Sequence, residues 1–421
     1  MSEALVRSSP PLKIALVCDW YFPRFGGLEL HLRDVALQLR ARGHDVHIIT
    51  GIRGADELDG VRIHRLNVPQ FPKYGFVYTP GALRKIREIL QREQFDVVHC
   101  HVSYVSPTAF LGAYLGKKMG IPTVVTFHSF MGHFRKVLAG LNLVFRWSSW
   151  PVVFTAVSGA VASQVRPLLG HRTLSLLPNG VNASEWQVTP VGRDPNEVHV
   201  VSVMRLKVRK RPRSLIRMIR RLRERLPHDM GFRVTIIGDG PERGAIEQLI
   251  ARYSLGDTVR LMGFQTRDAI RSVFAEADLF VLPTVLESFG IAALEARSAG
   301  LPVVARTQAG ISEFIHHGEE GLLAESDAEM IELLMQLIMD QPLRASMAKH
   351  NRETPGPATS WNEVIERHVT MYRRAREVIP ANMDDGSFSD ASGGATPNDG
   401  ADRGDALAGQ ASSGRRVRSS D

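Results

Sequence analysis

The sequence predicts an α/β protein built as two doubly wound domains. Three observations carry that expectation. Short β-branched runs alternate with helical patterns along nearly the whole chain, the order that makes a parallel sheet covered on both faces. The segment Thr189 to Glu197, with two prolines, a glycine and mixed charges, interrupts the alternation, which then restarts. The 421 residues suit two or three domains at about 100–200 residues each.

In the first half, Lys13–Cys18 reads as a buried strand. A helix over 28–42 carries Leu30, Val35, Leu37 and Leu39, and Gly43 ends it as a C′ glycine does. Strands follow at 45–50 and 62–65. Residues 82–93 make a basic amphipathic helix. Then come a strand at 96–101, a helix at 107–119 and a strand at 122–126. After a stretch without periodicity, a strand is expected at 154–157, a helix at 159–169 and a strand at 174–177. In the second half, strands are expected at 198–203, 232–237, 259–261, 278–282 and 302–305. Helices at 212–226, 241–252, 267–275 and 290–300 separate them, and two more follow near 327–338 and 342–351. Pro355-Gly356-Pro357 breaks the pattern before a last helix from about Trp361 to Val378. The expected division is 1–190 and 191–360, with a Gly-, Ser-, Ala- and Asp-rich tail over 380–421 that has little to bury and reads as disordered.

Composition narrows the function. Hydrophobic residues make up 44% and charged residues 23%, so both halves can build a core. Net charge is +8; the tail holds 7 Asp against 4 Arg, leaving 48 basic and 37 acidic residues in the body. That balance favours an anionic partner. Two cysteines, Cys18 and Cys100, both in apolar runs, exclude a disulfide framework and point to a reducing compartment. No signal peptide and no run of ~18 apolar residues is visible. The protein is expected in the cytoplasm, free or peripheral on a membrane.

Ligands of doubly wound domains bind at the carboxyl ends of strands, and a cleft between two such domains is the natural site. The loop after the first strand, Asp19-Trp20-Tyr21-Phe22-Pro23-Arg24-Phe25-Gly26-Gly27, brings paired glycines to a helix start, where backbone amides can meet an anion. The plainer reading is a tight turn. No G-x-G-x-x-G occurs, which counts against a nicotinamide or flavin enzyme. After the first strand of the second half, Arg205, Lys207, Arg209 and Lys210 suit a diphosphate. Arg217, Arg220, Arg221 and Arg223 read instead as a solvated face opposite Leu215, Ile219, Leu222 and Leu226. Glu287-Ser-Phe-Gly-Ile-Ala-Ala-Leu-Glu295 sets two carboxylates across a loop-to-helix junction. The amides of Phe289, Gly290 and Ile291 open the helix, and Glu295 lies inside it, where burial costs several kcal/mol (roughly) unless hydroxyls, such as a ribose diol, bond it. His128, after Thr126-Phe127, points to the same cleft. His99-Cys100-His101 is no metal site, because a strand sends Cys100 to the opposite face. No Asp-x-Asp is present to hold a divalent ion.

Together these residues resemble the family-4 retaining glycosyltransferases of GT-B type from about Ile14 to Tyr372. The markers are Gly26-Gly27, Thr126-Phe127-His128, Val157-Ser158, Pro178-Asn179-Gly180-Val181, Arg205 with Lys210, Gly238-Asp239-Gly240-Pro241-Glu242, Gly263-Phe264 and the E-x7-E of 287–295. The resemblance implies two Rossmann-like domains facing across a cleft: an acceptor-binding domain over 1–190, onto which a helix at 361–379 crosses back, and a donor domain over 191–360. It implies a nucleotide-sugar donor and a hydroxyl acceptor. Arg205 and Lys210 would neutralise the diphosphate, Glu287 would meet the sugar and diphosphate, Glu295 the ribose, and His128 the sugar. Gly26, Gly27, Gly238, Phe264, Phe289, Gly290 and Ile291 would complete the donor site, with Asp19, Tyr21 and His101 on the acceptor side. The anomeric configuration would be kept, with no metal and no other cofactor. Met204 stands where a glycine often precedes the family's phosphate-binding Arg.

The opening Cys-Asp-Trp-Tyr-Phe-Pro-x-x-Gly-Gly-x-Glu is similar to enzymes that glycosylate phosphatidylinositol, with UDP-GlcNAc or GDP-mannose as donor class and an inositol lipid or envelope glycan precursor as acceptor. An anionic membrane surface is then an expected partner. Arg84, Lys85 and Arg87 beside Ile86, Ile89 and Leu90, and the segment from His133 to Trp150, have an interfacial composition. Two other readings stand beside this one: a sugar-nucleotide epimerase on the same plan, and a basic nucleic-acid-binding module, which lacks any recognised motif.

Overall fold

The computed structural model describes residues 10–379, apart from Phe25, 70–78, His133, Arg193, Pro195 and 355–359. The expected break at 355–357 and the tail lie outside the described residues.

The first domain runs β1 (Lys13–Cys18), α1 (Gly27–Arg40), β2 (Asp45–Thr50), β3 (Glu57–Leu58), β4 (Val61–Arg65), α2 (Pro80–Glu93), β5 (Val97–Val102), α3 (Pro107–Lys118), β6 (Thr123–Phe127), α4 (Phe134–Phe145), β7 (Val153–Ala156), α5 (Gly159–Leu169) and β8 (Leu174–Leu176). Among the described residues its strands pair in the order β3-β4-β2-β1-β5-β6-β7-β8, parallel except for β3 on β4. After α6 (Ala183–Trp186), the second domain runs β9 (Glu197–Val203), α7 (Pro212–Arg225), β10 (Gly231–Ile237), α8 (Arg243–Arg252), β11 (Val259–Gly263), α9 (Arg267–Glu276), β12 (Leu279–Leu282), α10 (Ile291–Ser298), β13 (Val303–Arg306), β14 (Gly321–Ala324), α11 (Asp327–Met339) and α12 (Gln341–Glu353). Its strands pair in parallel in the order β11-β10-β9-β12-β13-β14. Each sheet reverses its order beside its first strand, between β1 and β5 and between β9 and β12. The crevice for a ligand opens there, at the strands' carboxyl ends.

The central strands are buried on both faces; every residue of β5 and β12 is buried. The last helix, α13 (Trp361–Glu377), lays Ile365, Val369, Met371, Tyr372 and Ala375 on the first sheet, in one core with Leu12, Ile14, Leu16 and Leu32. Chain order thus places the C-terminal helix on the N-terminal domain. The crossing between domains comes slightly before residue 190, since Trp186 already packs on Phe274 of α9, ring centres 5.8 Å apart.

The short elements were not expected. β3 is a two-residue edge strand, and α6 and β14 have four residues each, too few for periodicity to register. The larger correction is α4, in the stretch read as irregular. Its apolar residues do not gather into one buried face: only Leu138 is buried, while Val137, Leu141, Leu143, Val144 and Phe145 are exposed. α7 behaves as expected, with Leu215, Ile216, Ile219 and Leu222 inward. Its Arg220 pairs with Glu224 at 2.7 Å and Arg223 donates to turn carbonyls.

Candidate active site

Two helix starts meet across the cleft. Gly26 is the N-cap of α1, and a Cβ built on Gly27 lies 4.0 Å from Ile291 Cδ1, at the first residue of α10. Gly290 holds φ at +92°, and a Cβ there would come within 2.4 Å of Ile311. Only glycine makes this turn, which brings the loop into α10 tightly against the 309–311 backbone. The positive ends of two helices, one from each domain, therefore face the same space, an arrangement that favours an anion.

Cations surround it. Arg205 is exposed just after β9, and Lys210 pairs with the buried Glu287. Arg24 packs over the Trp20 ring at 4.5 Å and lies 3.5 Å from the Glu29 carboxylate. Burial pushes the Glu29 carboxyl up, against the pull of Arg24, Arg205 and Lys207. Arg24 and Lys207 are held below their usual range by burial and by neighbouring cations. Positive charge is in excess, as expected of a site awaiting an anionic ligand.

The Glu287 loop is tied to both domains. The Glu287 carbonyl accepts from Gly310 N at 2.7 Å. Ser288 Oγ accepts from Phe130 N at 3.3 Å, and its carbonyl from Ser158 Oγ at 2.5 Å. The Phe289 ring lies in the core, 5.6 Å from Phe314, so it is the amide, as expected, that is left to serve a ligand. Burial pushes the Glu295 carboxyl up to about 8; Arg267 pulls it down and Asp34 raises it. Arg267 itself grips Asp34 of α1 through both guanidinium nitrogens, bridging the domains beside Glu295. Gly238 (φ +129°) is required by packing, since a Cβ there would overlap the Met204 carbonyl at 2.0 Å. Phe264, 55% exposed, follows β11 at the same rim.

His128 is buried at the end of β6, its Nε2 2.9 Å from His101 Nδ1, and burial pushes it down to about 3. The acceptor-side expectations need correction. Tyr21 is fully buried in the core with Leu32 and Ile48. The Asp19 carboxylate is occupied at the start of α3, accepting from Thr108 N at 2.9 Å. His101 is 1% exposed and lies behind His128. Cleft residues that the sequence did not single out are His31 of α1, whose ring is 5.8 Å from that of His128, Ser288, and the Asp34–Arg267 bridge. The spacing of His31 from Gly27, one helical turn, was the available signal. Among the described residues, the groupings with metal-ligand spacing are His47, His64 and Glu93, and His316, Glu319 and Glu320. Neither includes a residue of this cleft.

Five imidazoles, His31, His99, His101, His128 and His368, are buried together, and burial lowers each of them. A histidine with a lowered folded pKa binds more protons unfolded than folded, so stability falls as pH drops through about 6.5. It goes on falling toward the folded values, about 4 for His368 and about 3 for His128. Asp19 and Glu295, raised by burial, oppose this over part of the range but are outnumbered. Calorimetric Tm is expected to drop steadily from pH 6.5 to 5; a flat profile there contradicts the neutral cluster.

Fold and cleft define a GT-B glycosyltransferase: two Rossmann-like domains with cations and paired helix starts at their junction. The first domain matches the model "Glycosyltransferase Family 4" over residues 25–185, and the second "Glycosyl transferases group 1" over 187–354. The chain belongs to the glycosyltransferases that join these two domains in series. It is 28% identical over 378 residues to a phosphatidylinositol N-acetylglucosaminyltransferase subunit from Arabidopsis thaliana, covering 87% of this chain and 83% of that one. It is 27% identical to the N-acetyl-alpha-D-glucosaminyl L-malate synthase of Bacillus anthracis, covering 86% and 96%. HepE of Anabaena, solved with UDP and glucose, superposes with a TM-score of 0.69 at 20% identity, covering 86% of this chain and 99% of that one.

Proposed function

We propose that this glycosyltransferase moves a hexose, N-acetylglucosamine being favoured, from a nucleoside diphosphate to an acceptor hydroxyl, with the anomeric configuration retained. The observation that carries the reading is the meeting of the α1 and α10 starts among Arg205, Lys210, Arg24 and Lys207. These groups are suited to hold a diphosphate as negative charge grows on the leaving oxygen. In the retaining step, that oxygen takes the acceptor proton on the face from which it departs. His128 borders the sugar, and Glu295 accepts from the ribose hydroxyls. The relatives' names favour N-acetylglucosamine, and that of the Arabidopsis relative favours phosphatidylinositol as the acceptor. Thermal-shift measurements with UDP, GDP and ADP and their sugars, then mass spectrometry of products formed with lipid extracts, test this. Stabilisation by no nucleotide overturns it. Sugar isomerised without an acceptor favours the epimerase.

The cations take the role that a divalent ion plays elsewhere, so full activity is expected in EDTA. Activity lost there and restored by Mn²⁺ or Mg²⁺ contradicts that.

A lipid-linked acceptor calls for docking on an anionic membrane, and α4 is the element suited to it. In α2, Ile86, Ile89 and Leu90 are core, and Arg84 and Lys85 lie beside Glu88 at 3.6 and 3.2 Å, so these apolar residues are not available for insertion. In α4, Leu143 is 86% and Val144 73% exposed, in a segment that also carries Arg135, Lys136 and Arg146. Trp147 and Trp150 fasten its end to the core through bonds to the Leu138 and Phe145 carbonyls. Residues 97–184 contain 7 Lys and Arg and no Asp or Glu. Each basic residue near anionic lipid contributes roughly 1 kcal/mol, and exposed Leu, Val and Phe add apolar insertion. No helix among the described residues is long and apolar enough to cross a membrane. Flotation with phosphatidylglycerol vesicles is expected for the wild type. It should be lost on Leu143→Ser with Val144→Ser and Phe145→Ser; a triple variant that still floats removes α4 as the anchor.

A further inference from the structure

The histidine cluster behind the cleft has a hydrogen-bond order that can be solved proton by proton. Thr155 Oγ1 lies 3.5 Å from the Val125 carbonyl and 2.5 Å from Thr126 Oγ1. A threonine hydroxyl has one proton. The arrangement that makes the most hydrogen bonds has Thr155 give its proton to the carbonyl and accept from Thr126. Thr126, its own proton spent, accepts from His99 Nε2 at 2.6 Å. His99 Nδ1 is then bare and accepts from the Tyr372 hydroxyl at 3.1 Å. His99 is neutral, with both nitrogens committed, and offers nothing to His101, whose ring lies 4.0 Å away, centre to centre.

His101 reaches one partner, His128, through Nδ1. Its Nε2 is fully buried and unpartnered among the described residues. One proton lies between the two rings. Were His128 to donate it, a neutral His101 would carry its own proton on Nε2, an N–H with no acceptor in the interior. Orphaned buried N–H groups are rarer than under-satisfied acceptors. His101 therefore donates from Nδ1 and keeps a bare Nε2. His128, accepting at Nε2, carries its proton on Nδ1, its only nitrogen left for the cleft.

We propose that His101 is a positioning residue that fixes His128 as a neutral imidazole protonated on Nδ1, so that His128 gives a hydrogen bond to a donor-sugar oxygen and does not act as a base. The inference rests on the reading that His128 borders the sugar. The groups packed round the pair, His31, His99, His368 and Tyr372, are neutral by burial, and Arg267 further disfavours charge on His31.

The test is long-range ¹H–¹⁵N correlation on histidine-labelled protein, with the His128 signals assigned by difference from His128→Gln. The expected result is the Nδ1–H tautomer from pH 8 to 5.5. His101→Phe removes the donor that locks His128 Nε2, so the Nδ1–H form should cease to be the sole tautomer. The same variant should lower kcat/KM for the donor on the order of tenfold, the worth of one neutral hydrogen bond. Its Kd for UDP, the probe, should stay unchanged, since His101 and His128 are assigned to the sugar and not to the groups that hold the diphosphate. His101→Asn, whose amide can donate to His128 Nε2, should restore both tautomer and turnover. An Nε2–H tautomer in the wild type overturns the proposal even if every variant fails to fold. Unchanged donor kinetics in His101→Phe also overturns it. An Nδ1–H tautomer with unaltered donor kinetics in His128→Gln instead overturns the assignment of His128 to the sugar.

Discussion

Arg205→Ala and Lys210→Ala are each expected to lower kcat/KM by a factor of about 30 to 1,000. A charge-assisted hydrogen bond to a departing diphosphate strengthens as charge develops, so its loss costs on the order of 2–4 kcal/mol in the barrier. The two variants should differ in stability. Arg205 is exposed, and its removal should leave the fold intact. Lys210 holds the buried Glu287, so its loss strands a carboxylate and should lower Tm as well. Adding Glu287→Gln to Lys210→Ala should recover the stability and none of the turnover. Near wild-type kcat/KM in either single variant removes that residue from the site.

The second large effect separates the two carboxylates of the E-x7-E segment. Glu287→Gln should cut turnover sharply while UDP affinity holds, because Lys210 is released to the phosphates. Glu295→Gln should weaken UDP binding on the order of tenfold, the worth of a hydrogen bond to the ribose, with a smaller effect on kcat. The pH dependence of folding gives an independent check. Glu295, raised to about 8, binds more protons folded than unfolded between pH 4.5 and 8. Its ionisation therefore removes stability as pH rises through that window. Glu295→Gln should be more stable than the wild type at pH 9 and little different at pH 5. Equal loss of UDP binding in both variants, measured by calorimetry, ends this division of labour.

Much of the fold was legible because its signals are local. β1 and β2 fall where their apolar runs lie, and α1 stops just before Gly43, whose φ of +86° suits the residue after a helix. α4 was not legible, because its apolar side chains face outward and no core imposes a period on them. At the site, Glu287 and Lys210 were visible as residue types after strands. Asp19 and Tyr21 were equally visible and misleading, since a polar residue after a strand can as readily cap a neighbouring helix or enter the core as face a ligand.

Local sequence by itself determined the alternation of strands and helices, the glycines at helix starts, the excess of positive charge and, through the E-x7-E segment with its companions, the class of enzyme. The tertiary structure alone decided which of these meet. Gly27 and Ile291 are far apart in sequence, yet a Cβ on Gly27 would touch Ile291, because both lie at carboxyl ends of parallel sheets that face each other. Asp34 meets Arg267 for the same reason. His99 meets Tyr372, 273 positions away, because α13 returns to the first sheet. Periodicity reports the face a residue occupies on its own element. The partner of that face depends on strand order and on how the two domains close, and neither is encoded within any short window of the chain.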